Sequence, residues 1–193
     1  MRDFKKIFIL ILFFGLYMNC SNVEDPFKPL SLKEKFYYKC DFESEESYDG
    51  WGVYDGNQDT ISWIVGYSFH LDREPPDCGD YYVVYDDYEA VDTSAMEWLF
   101  TPTFYFKYDY LLLIKYSYSI NLEEAGGDTF SVVVKLNNSV YDRKVYTHSG
   151  FGWDSFYVEV NKGDSLWVEF IYFDYKDKSG VVGVDNFEVK SIE

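Results

Sequence analysis

Hydrophobic and polar positions alternate with a period of two along most of the chain from about residue 36 onward. In the stretch YLLLIKYSYSIN, Ile114, Tyr116, Tyr118 and Ile120 fall on one face, and polar residues occupy the positions between them. Because side chains of a β-strand point alternately to its two faces, this pattern predicts a strand with one buried face and one face in water. The stretch DTFSVVVKL repeats the pattern.

Turn residues interrupt this alternation at short intervals. The glycines of EEAGGD suit a hairpin, and Gly163 and Asp164 in VNKGDSLW suit another tight turn. No helical period is visible after residue 19, so the pattern predicts an all-β fold built as an antiparallel β-sandwich. Further strands are predicted at KFYYKCDFE, SWIVGYSF, DYYVVYD, EWLFTP, SFYVEV, LWVEFIYFDY and VVGVDNFEV.

The composition agrees with one β-rich domain. The 193 residues are 47% hydrophobic and 22% aromatic, with 20 Tyr and 17 Phe, residue types that fit the half-buried surface of a sheet. A chain of this length can bury one sizeable core. We therefore expect a single sandwich domain over residues 36–193.

The first residues have a different character from the rest. Arg2, Lys5 and Lys6 precede the apolar run IFILILFFGLYM, which is typical of a signal peptide. The run is shorter than the about 20 residues that span a bilayer. We therefore interpret residues 1–19 as a signal peptide for export.

The cysteine after the apolar run predicts a lipid anchor. The sequence LYMNC, which ends at Cys20, resembles the lipobox of bacterial lipoproteins, in which the cysteine carries the lipid. The alternative is an ordinary signal peptide followed by a chance cysteine. Residues 20–35 are polar and contain two prolines, as in a tether. This interpretation places the protein in the cell envelope, at the outer membrane or the cell surface.

The net charge of −17 narrows the possible partners. A protein that binds nucleic acid needs a basic surface for the phosphate backbone, and Lys and Arg form no cluster after the leader. The charge therefore excludes nucleic acid. It favours divalent cations or neutral partners such as glycans.

Two cysteines remain after Cys20. In an exported protein Cys40 and Cys78 are expected to form a disulfide, and the alternative is a pair of buried free thiols. His70 and His148 are far apart in the sequence, and neither has the spacing of a Cys/His zinc site. Zinc is therefore not expected.

The stretch WGVYDGNQDTISW contains a candidate calcium loop. Asp55, Asn57 and Asp59 alternate along a turn, and calcium takes six to eight oxygen ligands. The stretch is not an EF-hand, because Gly66 stands where that motif requires a bidentate glutamate. The alternative is a plain β-turn, which prefers the same residue types.

Aromatic residues suggest where a ligand binds. In GDYYVVYDDYEAVD the tyrosines alternate with acids near a loop, which is typical of a solvated recognition surface; the alternative is that they only fill a strand. The five tryptophans are expected to pack in the core. The candidate ligand-binding residues are Tyr81, Tyr82, Tyr85 and Tyr88, and the tryptophans are Trp51, Trp63, Trp98, Trp153 and Trp167.

Four short motifs occur in an order that resembles a known group of domains. They are CDFE at residues 40–43, DGW at 49–51, MEWLFTP at 96–102 and GVDNFEV at 183–189. Together they resemble the choice-of-anchor J jelly-roll domains, with the cleaved adhesin domains and, more distantly, MAM domains. The resemblance implies a calcium-stabilised jelly-roll sandwich used for adhesion or recognition. It also implies that Glu43 and Asp185 are further calcium ligands.

No catalytic motif stands out in the sequence. It has no G-x-S-x-G elbow, no H-E-x-x-H helix and no phosphate-binding glycine loop. We therefore expect a protein without enzymatic activity: a lipid-anchored module that binds a glycan or a protein outside the cell. The alternatives are an accessory glycan-active hydrolase and a purely structural envelope lipoprotein.

Overall fold

The structure is a computed structural model, and it describes residues 34–58, 61–86, 96–122, 127–174 and 180–192. Lys35–Glu193 forms one compact unit. The predicted signal peptide, Cys20 and most of the predicted tether lie outside the described residues. Within those residues, no helix has the length and apolar character needed to cross a membrane.

The described residues form β-strands joined by turns and loops, as the period of two predicts. The strands are β1 (Tyr37–Cys40), β2 (Gly52–Asp55), β3 (Ile64–Gly66), β4 (Tyr82–Asp86), β5 (Met96–Phe100), β6 (Phe104–Tyr105), β7 (Tyr110–Asn121), β8 (Thr129–Leu136), β9 (Ser139–Tyr146), β10 (Gly150–Val160), β11 (Ser165–Phe173) and β12 (Val181–Ile192).

The strands form two antiparallel sheets. The first sheet has the order β10-β7-β12-β4-β3, and β1 also pairs with β12. The second sheet has the order β2-β5-β11-β8-β9, and β6 also pairs with β11. The predicted all-β antiparallel sandwich is therefore confirmed.

The core between the sheets is largely aromatic. The ring of Phe170 on β11 lies 5.6 Å from that of Tyr116, 6.0 Å from that of Phe187 and 6.1 Å from that of Trp51, measured between centroids. Such offset and edge-to-face contacts are the favoured arrangements of aromatic rings. Ile114 and Tyr116 are fully buried, so the core face predicted from YLLLIKYSYSIN is correct.

A segment of residues 67–81 between β3 and β4 covers part of the outer face of the first sheet; we call it the covering segment. Its Leu71 and Cys78 pack on a small cluster of Tyr82, Val84 and Val181. The amide of Asn121 donates to the carbonyl of His70 at 3.0 Å. This cover explains a difference from the sequence prediction, which placed the serines of β7 in water.

Ser117 and Ser119 are buried beneath the covering segment. The hydroxyl of Ser119 donates to the carbonyl of Arg73, and the hydroxyl of Ser117 donates to the carbonyl of Asp185 at 3.1 Å. These hydrogen bonds satisfy polar groups that burial would otherwise destabilise.

Candidate functional site

A cleft opens on the second sheet, at the point where β5 ends and β6 begins. The two strands pair with different parts of β11: β6 with Ser165 and Leu166, and β5 from Glu169 onward. Between the two strands, hydrogen bonds of Thr101 hold the connecting segment against β11. Its N–H donates to the carbonyl of Val168 at 3.0 Å, and its hydroxyl accepts from the N–H of Val168 at 2.9 Å.

The cleft has a volume of about 440 Å³ and combines aromatic rings with neutral polar groups. Tyr105 at its rim is 74% exposed. Because no lining side chain carries a formal charge, the cleft suits a ligand with apolar faces and uncharged polar groups. The lining residues are Phe100, Thr101, Thr103, Tyr105, Asn138, Ser165 and Trp167.

Two hydrogen-bonded features fix the cleft's geometry. The indole N–H of Trp167 donates to Oε1 of Glu169 at 3.0 Å, which orients the ring. Asn137 and Asn138 form the turn between β8 and β9 with φ angles of 50° and 65°, values that asparagine tolerates better than most residues. Asn137 Oδ1 accepts from the N–H of Ser165 at 3.0 Å, which holds the turn against β11.

The predicted tyrosine surface is wrong for two of its residues. Tyr82 and Tyr85 are buried, because β4 is an interior strand with the core on one face and the covering segment on the other. The ring of Tyr85 lies 4.9 Å from that of Tyr172 in the core. Tyr81 is 46% exposed. Tyr88 lies outside the described residues.

Three of the five tryptophans lie outside the core, in contrast to the prediction. Trp63 is buried and Trp51 packs against the core, as predicted. Trp98 is half-buried against Tyr54 on the outer face, Trp153 is 37% exposed and Trp167 lines the cleft. The period of two in LWVEFIYF indicates the position of Trp167. Leu166 and Val168 face inward, so Trp167, which lies between them, faces outward.

The structure divides the predicted calcium ligands into two groups. Asp55 ends β2 in the second sheet, where its Oδ1 accepts from the N–H of Gln58 at 2.5 Å. This hydrogen bond spans three residues and closes the turn through the aspartate side chain. Asn57 follows on the same turn and is half-buried, and Asp59 lies outside the described residues.

Asp185 belongs to β12 in the first sheet, and Glu43 lies in the loop that follows β1. Asp185 is fully buried, and its burial, together with the charges of Glu43 and Asp41, raises its pKa to about 7. Oε1 of Glu43 accepts from the N–H of Tyr81 at 3.1 Å. The described residues contain no group of three or more His, Cys, Asp or Glu arranged to hold a metal.

Cys40 and Cys78 are free thiols in the structure, in contrast to the predicted disulfide. Burial raises the pKa of Cys40 to about 12. The thiol of Cys78 donates to Oε2 of Glu74 at 3.6 Å, and burial with the charge of Glu74 raises its pKa to about 11. Both thiols are therefore protonated at neutral pH.

Solved structures of similar fold include cleaved adhesin domains. No family model matches the sequence, and no curated protein matches it. The K1 cleaved adhesin domain of Lys-gingipain from Porphyromonas gingivalis is 14% identical, with a TM-score of 0.54 over 82% of this chain and 99% of that domain. The K3 domain of the same protein is 14% identical, with a TM-score of 0.52 over 82% of this chain and 100% of that domain. These similarities support an adhesin-like β-sandwich fold.

Proposed function

We propose that this protein is a non-catalytic binding module and that the cleft beside Trp167 recognises sugar rings of an uncharged glycan. The observation that carries the proposal is the cleft's lining, which joins three aromatic rings to Thr, Ser and Asn side chains. An aromatic ring contacts the apolar face of a sugar, and the neutral polar groups exchange hydrogen bonds with its hydroxyls.

The cleft is suited to binding because its parts are already held in place. The hydrogen bond from Trp167 to Glu169 and the contact of Asn137 with Ser165 remove rotational freedom before a ligand arrives. A site organised in advance loses less entropy on binding. The cleft's lining contains no Asp, Glu, His, Cys or Lys, which favours recognition over acid–base catalysis.

The solved structures of similar fold agree with a binding function. They are adhesin domains, which agrees with recognition outside the cell. Anchoring through Cys20 would then display the cleft at the cell surface. We also propose that calcium, held by Glu43 and Asp185, stabilises the first sheet where the covering segment crosses it; the bound ion would supply positive charge to these acids.

A glycan array with the purified chain tests the proposal, and titration calorimetry then measures affinity for each bound glycan. Tyr105→Ala is expected to weaken binding about fivefold, because loss of an aromatic contact worth about 1 kcal/mol corresponds to that change in affinity. Tyr54→Ala is the matched control, since Tyr54 is a 53% exposed tyrosine that does not line the cleft.

Three results would contradict this function. The first is equal affinity of the Tyr105→Ala and Tyr54→Ala variants for the glycan. The second is an array without any bound glycan together with tight binding of a protein. The third is cleavage of the bound glycan, detected as new reducing ends, which would favour a glycan-active hydrolase.

A further inference from the structure

A strip of exposed aromatic residues runs along β10 on the outer face of the first sheet. Phe151, Trp153 and Tyr157 are 47%, 37% and 63% exposed. They occupy alternate positions of one strand, so their side chains share one face. At about 3.3 Å per residue, Phe151 and Trp153 lie about 6.6 Å apart and the whole strip is about 20 Å long. This strip belongs to the other sheet from the cleft.

Two cations lie directly over the first two rings. The ammonium of Lys115, from β7, is 3.8 Å from the centroid of Trp153. The guanidinium carbon of Arg73, from the covering segment, is 4.4 Å from the centroid of Phe151. Both distances fall within the range of a cation–π interaction. Three separate parts of the chain therefore build this surface.

Within the described parts of the chain, these two cations form no ion pair. Lys39, Lys144 and Lys190 each lie within salt-bridge distance of a carboxylate. Lys115 and Arg73, by contrast, pair with no carboxylate of the part of the chain that the structure describes. In a chain of net charge −17, Lys115 and Arg73 are therefore two cations that remain able to pair with an anionic ligand.

Carboxylates do lie near the two cations: Asp72 and Glu74 flank Arg73 in the chain, and Glu74 accepts from the thiol of Cys78 at 3.6 Å. Glu188 lies opposite Lys115 in the sheet, but its carboxylate pairs with Lys190 at 2.9 Å. Glu159 follows Tyr157 at the far end of the strip. The two cations therefore lie at the end formed by Phe151 and Trp153, and the end at Tyr157 is not basic.

We propose that this strip binds an oligosaccharide that carries carboxylate groups. The carboxylates pair with Lys115 and Arg73, and the sugar rings contact the exposed surfaces of Trp153 and Tyr157. The hydroxyl of Ser155, between these two aromatic residues on β10, is available to a sugar hydroxyl.

The charge pattern favours this ligand over other anions. A phosphate backbone needs a row of cations along its length, and the described residues of the strip offer two. A carboxylated saccharide presents an apolar face in the same ring as its carboxylate. One ring can therefore use both a cation and an aromatic side chain.

Titration calorimetry of the purified chain with four probes tests the proposal. The probes are an oligogalacturonate, its methyl ester, polyglutamate and a single-stranded oligonucleotide. The oligogalacturonate and its ester differ only in charge, so the acid is expected to bind at least about tenfold more tightly and to weaken as salt is added. Fragments of hyaluronan and alginate extend the test to other carboxylated sugars.

Variants assign the binding to the strip. Lys115→Gln and Arg73→Gln are each expected to weaken oligogalacturonate binding about fivefold to tenfold, and Trp153→Ala by at least as much. Lys162→Gln is the matched control, because it removes the same charge from an exposed turn between β10 and β11. Far-ultraviolet circular dichroism confirms that each variant is folded, and Lys115→Arg, which keeps the charge, is expected to retain binding.

The outcomes that overturn the proposal are distinct from those that overturn the function of the cleft. Absence of binding to all three carboxylated saccharides contradicts it, as do equal affinities of Lys115→Gln and Lys162→Gln. Stronger binding of polyglutamate or of the oligonucleotide would assign the strip to a different ligand. Tyr105→Ala, which alters only the cleft, is expected to leave oligogalacturonate binding unchanged.

Discussion

The phenol of Tyr146 on β9 donates a 2.7 Å hydrogen bond to Oδ2 of Asp154 on β10, and so joins the edge strands of the two sheets. The hydroxyl of Tyr116 lies 2.7 Å from that of Tyr146, and the ammonium of Lys144 pairs with the same carboxylate. A polar network, and not a backbone ladder, therefore connects the sheets along this side of the sandwich.

Removing the hydroxyl of Tyr146 tests the strength of this connection. Tyr146→Phe leaves the buried Tyr116 hydroxyl without its partner and takes one donor from Asp154, so we expect a loss of about 1–3 kcal/mol of unfolding free energy. Tyr157→Phe is the control, because the Tyr157 side chain is 63% exposed. Urea unfolding measures both variants, and equal stabilities would contradict a structural role for the network.

The same network predicts how stability changes in acid. Burial alone would raise the pKa of Asp154, but hydrogen bonds from Lys144, Tyr146 and the N–H of Ser155 outweigh it and hold that pKa below 3.8. A group whose pKa is lower in the folded state stabilises the fold above its unfolded pKa, and this contribution is lost as the pH falls through the folded pKa.

Thermal unfolding between about pH 2 and pH 5 checks this expectation. The melting temperature of the parent chain should fall with pH more steeply than that of Asp154→Asn, which has no carboxylate to protonate at this position. Asp142→Asn, an exposed acid on β9, controls for the change in net charge. Parallel curves for the parent chain and Asp154→Asn would show that the network does not depend on the charge of Asp154.

The sandwich could be predicted because the alternation that shows which face of a strand is buried lies within the sequence of that strand. The period of two in YLLLIKYSYSIN assigns Ile114 and Tyr116 to the core without knowledge of any partner strand. Tyr82 and Tyr85 could not be placed this way, because neighbouring acids in the sequence suggested a wet strand. Their burial depends on the position of β4 within the sheet and on the covering segment, which are both long-range features.

The cleft was not visible in the sequence for a similar reason. Its walls come from residues 100–105, from Asn138 and from Ser165 and Trp167, which only strand pairing brings together. The sequence did indicate one wall of the cleft, because the period of two around Trp167 places its side chain on the outer face. Likewise, the contacts of Lys115 with Trp153 and of Arg73 with Phe151 join distant segments, so no local motif announces them.

Alkylation shows directly whether Cys40 and Cys78 are free thiols, as in the structure, or form the disulfide expected from the sequence. With both thiols free and protonated, the chain unfolded without reductant should take up an alkylating label on Cys40 and Cys78. The folded chain should react more slowly at Cys40, which is fully buried, than at Cys78. Mass spectrometry resolves the two sites. An unfolded chain that takes no label before reduction would instead support the disulfide.

The lipid anchor at Cys20 stays a prediction from the sequence, since this residue lies outside the described part of the chain. Metabolic labelling with a palmitate analogue is expected to label the parent protein and not Cys20→Ser. Cys78→Ser, which alters a cysteine of the sandwich, should label as the parent does. Equal labelling of the parent and Cys20→Ser would contradict the anchor.

Calcium is expected to act through Asp185, where a buried carboxylate lies close to Glu43 and Asp41. An ion that binds only the folded state raises the melting temperature in a concentration-dependent way, and magnesium should act less because it keeps its water more firmly. Asp185→Asn is expected to abolish the calcium effect. In EDTA above pH 7 this variant should be at least as stable as the parent, because it removes a buried charge.

The second group of predicted ligands serves as the control for the first. Asp55 lies in the other sheet and already accepts a hydrogen bond from Gln58, so Asp55→Asn should retain the calcium effect if Glu43 and Asp185 hold the ion. Loss of the effect in Asp55→Asn, with retention in Asp185→Asn, would instead place calcium at the acidic turn with Asn57 and Asp59. A melting temperature that responds to neither calcium nor EDTA would remove both sites.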